Sequence, residues 1–158
     1  MMLTVLLSVL ALAGAPTTTK VECDPALLAA ADLGLTVSDQ ITVVDGRIVP
    51  GRLDHILLGQ EACGGLLYAS ASPSERAEIR RMNPTVDFDQ LLGVGLQVAL
   101  HEANHVALDS ADECLVEKRT RTQIDGLIEK VADPGRAVAE EAAATADDAG
   151  LPANYHGC

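Results

Sequence analysis

The chain opens on an apolar run from Leu3 to Ala15, after which β-branched residues cluster in two short runs and apolar residues recur at three to four elsewhere. The opening run ends in small residues spaced as at a signal-peptidase site, Ala11-Leu12-Ala13 or Ala13-Gly14-Ala15, and Pro16 favours the bond after Ala13. No Lys or Arg precedes the run, and it is short for a helix crossing ~30 Å of hydrocarbon. The pattern predicts a signal peptide or N-terminal anchor over residues 1–15, a polar linker over 16–22 and one folded domain over 23–158. Export follows: the domain is expected to be secreted or extracytoplasmic, meeting a membrane only through an uncleaved N-terminal segment.

Within the domain, Asp24 as N-cap and Pro25 at the first helical position open a helix ending near Gly34. Two β-branched runs, 41–44 and 47–49, flank Asp45-Gly46 and predict a β-hairpin closed by Pro50-Gly51. Ile56, Leu57, Leu58, Leu66 and Leu67 suggest a helix over 54–68, and another is expected over 74–81, ended before Pro84. The strongest helix spans 86–108, where Leu91, Val94, Val98, His101, His105 and Leu108 share a face. A helix over 111–132 carries Val116, Ile124, Leu127, Ile128 and Val131 on its stripe, with Glu113 and Glu117 extending it. An Ala-rich helix over 137–148 and a tail to Cys158 complete the chain. The fold class is mainly α, a small helical domain with a short β-hairpin.

Composition agrees with that class. With 48% hydrophobic but only 2% aromatic residues, the core must be built from Leu, Val, Ile and Ala. Lys and Arg number 11 against 23 Asp and Glu, a net charge of −12, so the phosphate backbone of nucleic acid is repelled and is no expected partner. Four cysteines, Cys23, Cys63, Cys114 and Cys158, follow the leader. An even count in a small exported chain suggests two disulfides, and no CxxC spacing points to a zinc ribbon or redox pair.

The chemistry concentrates at His101-Glu102-Ala103-Asn104-His105. Imidazoles one helical turn apart can hold one Zn²⁺, while the Glu between them lies beside the open coordination position. Water activated by the ion loses its proton near neutrality, and the carboxylate can take that proton as the water attacks a carbonyl. Burying two histidines and two glutamates with no cation would carry a large desolvation penalty. A peptide or protein substrate is the expected partner.

Together with Glu113-Cys-Leu-Val-Glu117, this motif resembles the gluzincin clan of zinc metallopeptidases, in which a Glu from a downstream helix completes HExxH. More closely, the layout is similar to small exported metallopeptidase-like proteins of actinobacteria and their phages, which share Cys23-Asp24-Pro25, Gly46 to Val49, a Cys before the motif, a Glu-Cys after it and a Tyr before a terminal Cys. The resemblance implies a zincin-like domain with Zn²⁺ on His101, His105 and Glu113, Glu102 as general base and Glu117 as an acceptor behind a ligand His.

Two features depart from that pattern. Only seven residues separate His105 from Glu113, and no Gly follows the second His. Ser110-Ala-Asp-Glu113 also matches a capping box, under which Glu113 would turn back to the Ser110 N–H and Glu117 would become the third ligand. Disulfides joining Cys23 to Cys63 and Cys114 to Cys158 are preferred, the second pinning Tyr155 near the ligand helix, where its phenol could stabilise an oxyanion. His156 shares that tail, and His55 reads as a surface residue. The expected activity is that of a zinc peptidase; the alternatives are an inactive zinc-binding protein and a disulfide-stabilised interaction module.

Overall fold

In the computed structural model, residues 2–23, 40–41, 55–110, 112–131 and 136–150 are described. They form, in order, α1 (Met2–Ala13), β1 (Lys20–Cys23), β2 (Gln40–Ile41), β3 (His55–Leu58), α2 (Gln60–Ser70), α3 (Pro73–Met82), α4 (Phe88–Leu108), α5 (Glu113–Val131) and α6 (Arg136–Gly150).

The centre is α4, against which α1, α2, α5 and α6 all pack. Small residues make this crowding possible. A Cβ added to Gly65 would lie 2.1 Å from the Leu91 carbonyl oxygen, and one added to Gly93 would lie 2.2 Å from that of Ala139. Thus α2 and α6 cross α4 with backbone against backbone, and the glycine that weakens the helix propensity of α2 is the one that admits its neighbour. The apolar stripe expected through Leu91, Val94 and Val98 is displaced: these are half-buried, whereas Phe88, Leu92, Leu96, Ala99, Leu100 and Ala103 form the enclosed line. Large side chains dominate a periodicity reading, but the small ones decide where helices touch.

The three strands form one sheet in the order β1-β3-β2. β1 runs parallel to β3, pairing Lys20 with His55 through Cys23 with Leu58, and β2 pairs antiparallel, Gln40 with Leu57 and Ile41 with Ile56. Residues 55–58 are therefore strand, correcting the helix expected from residue 54. Ile56 and Leu58, two positions apart and each 1% exposed, bury one face of the central strand, and extended Gly59 then serves as the N-cap of α2. β1 takes in the last residues of the segment read as a linker. Of the expected hairpin only Ile41 is described; residues 42–49, like the helix expected over 24–34, lie outside the described residues. The fold is mainly α with a small mixed sheet.

A disulfide joins Cys23 at the end of β1 to Cys63 in α2, the pairing preferred from the sequence. Cys114 is also disulfide-bonded, and its expected partner Cys158 lies outside the described residues. Such bonds belong to an oxidising, extracytoplasmic compartment. No described helix is long and apolar enough to cross a membrane.

Candidate metal centre

The site lies where α4 ends and α5 begins. Asp109, at φ 47°, takes the left-handed conformation that ends α4, and its N–H reaches the carbonyls of His105 and Val106. Asp112 then caps α5, its Oδ1 accepting the Leu115 N–H at 3.1 Å, while the Ser110 hydroxyl accepts the Asp112 N–H at 3.1 Å. The capping box expected from Ser110 to Glu113 does not form, because the helix starts two residues later than that reading requires. Glu113 becomes the first residue of α5 and its carboxylate turns to the histidines.

Three atoms converge there. His101 Nε2 and His105 Nε2 are 3.1 Å apart, and Glu113 Oε2 lies 3.0 Å from the first and 3.2 Å from the second. The opposite ring edges are engaged elsewhere. His105 Nδ1 lies 2.7 Å from the Ser110 carbonyl oxygen, which can only accept, so Nδ1 carries the hydrogen. His101 Nδ1 faces Glu117 Oε2 at 3.3 Å, and the other oxygen of that 1%-exposed carboxylate accepts from Arg121 Nε at 2.6 Å. Glu102 is buried, and His101, Glu102 and His105 each offer a donor atom within 4.8 Å of the others.

The charges follow this geometry. Burial disfavours a cationic His101, but hydrogen bonds to Glu113 and Glu117, with the nearby Glu102 charge, prevail and push its pKa up to about 10. Burial likewise opposes ionisation of Glu113, yet the facing imidazoles, His101 foremost, hold its pKa down at about 2. With its pKa so raised, a metal-free His101 carries a proton on each ring nitrogen near neutrality, one facing Glu113 and the other Glu117. Ligands about 2.0–2.1 Å from a tetrahedral Zn²⁺ are about 3.3 Å from one another, close to the edges of this triangle, and two imidazoles with a carboxylate are a donor set that such ions accept. The residues present fit a metal-binding group. His105 is enclosed, whereas the side chains of His101 and Glu113 retain 15% and 25% exposure and leave one side open to solvent.

Sequence reasoning missed the amide network behind the histidines. Asn104, fully buried, donates to Thr120 Oγ1 at 3.0 Å and to Gln123 Oε1 at 2.9 Å, tying α4 to α5. The available signal was Thr120, a polar residue in line with Val116 and Ile124. His55 begins β3, and Tyr155, His156 and Cys158 lie outside the described residues. A surface depression of about 420 Å³ along α3, lined by Tyr68, Arg76, Arg80, Asp89 and neighbours, includes none of the cluster residues. Its cations already have partners: Arg76 clamps the carbonyls of Ala69, Ala71 and Val131, and Arg80 pairs with Asp89.

No known family model, curated protein or solved structure matches the chain.

Proposed function

We propose that this protein is a zinc-dependent peptidase, with Zn²⁺ held by His101, His105 and Glu113, and Glu102 as the general base. The observation that carries the reading is the triangle of His101 Nε2, His105 Nε2 and Glu113 Oε2, with edges of 3.0–3.2 Å and the imidazoles turned so that both Nε2 atoms face inward. A zinc ion supplies Lewis acidity, lowering the pKa of water toward neutrality and polarising an amide carbonyl. Glu102, one residue along the helix from His101 and shielded from bulk solvent, takes the proton of the attacking water and returns it to the departing amine. Glu117 holds His101 by its Nδ1, and the Ser110 carbonyl holds His105 in the same way, the support that keeps ligand imidazoles oriented. The partial exposure of His101 and Glu113 supports turnover over a closed structural zinc, because substrate needs a path to the ion.

The test is metal analysis of purified full-length protein, followed by peptide-library cleavage with and without chelator. One zinc per chain and chelator-sensitive cleavage are expected. Glu102→Gln should keep the zinc and abolish cleavage. Zinc without cleavage in the parent protein would reduce the site to metal binding alone, and absence of bound metal would overturn the reading.

A further inference from the structure

We infer that the N-terminal apolar helix α1 is a permanent element of the folded domain, not a leader shed on export. The evidence lies in how the helix ends. The last four carbonyls of an α-helix have no partner within it, and a segment that merely passes through a translocation channel has no need to satisfy them. All four are satisfied here. The Ala15 N–H reaches the Leu10 carbonyl at 2.9 Å and the Gly14 N–H that of Ala11 at 3.2 Å, which together form a Schellman motif with Gly14 at φ +79°. Gln123 Nε2 donates to the Leu12 carbonyl at 2.8 Å, and Arg119 Nη2 to that of Ala13 at 2.9 Å. Leu10 and Ala15 are both buried, as the apolar contact that accompanies this motif requires. The small residues that read as a peptidase site are therefore equally a helix terminator, with glycine where the left-handed turn demands it.

The body of the helix is packed as a core element. Val5, Leu6, Val9, Leu10 and Ala13 are buried, while Leu7 on the far side is 39% exposed. Leu6 lines a small cavity together with Val21, Leu58, Leu66 and the Cys23–Cys63 disulfide, and α1 packs against α2, α4 and α5. Ala13, whose peptide bond to Gly14 is the favoured cleavage point, has no exposed surface. Gln123 holds the Leu12 carbonyl with one end of its amide and Asn104 of the histidine helix with the other. Removal of α1 would thus uncover one face of the core and release the residue that braces α4 against α5.

The test uses the full chain exported from its own N-terminus, with intact mass and thermal melting as readouts, both independent of the metal site. The inference expects the mature protein to contain residues 3–13. It also expects Arg119→Met, a change far from the N-terminal segment in sequence and so outside any export signal, to lower Tm by about 3–6 °C through loss of the Ala13 contact. Val9→Asp should lower Tm by about 10 °C or more, and Leu7→Asp should leave it within about 2 °C. A mature chain beginning at Gly14 or Pro16 overturns the inference. So does an Arg119→Met protein that melts with its parent, which remains decisive if the Asp variants are not exported.

Discussion

The carbonyl oxygen of Ser110 fixes the tautomer of His105: with Nδ1–H donated across 2.7 Å to an atom that can only accept, the lone pair of the neutral ring is left on Nε2, facing His101 and Glu113. The acceptor belongs to the backbone of the reversal between α4 and α5. The orientation of a histidine on one helix is therefore set by the path of the chain into the next, and that path is stabilised by Asp109 and Asp112.

The proton that His101 carries on its inward-facing Nε2 makes metal uptake pH-dependent. His101 has its pKa raised to about 10, so a cation taking Nε2 must displace a proton. Zinc affinity should rise about tenfold per pH unit between pH 7 and pH 8, with close to one proton released per ion, measurable by competitive titration in buffers of differing ionisation enthalpy.

The metal-free protein should show the opposite dependence in stability. A folded-state pKa of about 10 for His101, above its ordinary 6.5, contributes stability that is complete below pH 6.5 and lost as pH rises through 10. Glu113, lowered from 4.5 to about 2, contributes above pH 4.5 and loses its contribution as pH falls through 2. Chelator-treated protein should therefore gain most from this pair between pH 4.5 and 6.5, and urea midpoints across that range and at pH 9 will show it.

Glu113 and Glu117 lie one helical turn apart but touch opposite edges of His101. On the proposed reading, Glu113→Ala removes an anionic ligand and should reduce zinc binding severely, whereas Glu117→Ala should cost about 10–100-fold, as loss of an orienting partner does. A larger loss in Glu117→Ala would exchange the two roles.

The disulfide between Cys23 and Cys63 spans a sequence separation of 40. Replacing both cysteines with Ser should lower stability by about 3–4 kcal/mol in the chain-entropy model, read from denaturant unfolding.

Two glycines should respond in opposite directions. Gly65→Ala forces its methyl against the Leu91 carbonyl and should destabilise by about 1–3 kcal/mol. Gly126 lies in α5 where an added methyl would meet nothing within 4 Å, so Gly126→Ala should stabilise by about 0.5–1 kcal/mol. Thermal melts of the two variants against the parent decide both.

Helices α4 and α5 were legible because each combines an apolar period of three to four with a local stop, Asp109-Ser110 or Asp133-Pro134, whereas α3, which buries no residue, showed chiefly its stop at Asn83-Pro84. The histidine pair was legible for the same reason, since helical spacing fixes their relation without knowledge of the fold. Residues 55–58 were misread because a short apolar run has no period of its own, and only pairing with β1 and β2 makes it a strand. The start of α5 was read at residue 111 with Ser110 as a possible cap, whereas Asp112 caps it, and that two-residue difference decides where Glu113 points. Asn104, Thr120 and Gln123 escaped notice because a buried amide network depends on contacts between helices, which no single-helix pattern encodes.

The backbone crossings of α4 at Gly65 and Gly93 bear on which ions the proposed centre can accept. The crossings hold in place a helix that carries both histidines one turn apart, so the 3.1 Å between their Nε2 atoms is set within one element and acts as a gauge of ionic radius. Calcium, which needs six to eight oxygens at about 2.3–2.6 Å, is too large and too hard for that gauge. Discrimination against calcium would then be a property of two imidazole nitrogens on one helix, which the glycine crossings keep in its place.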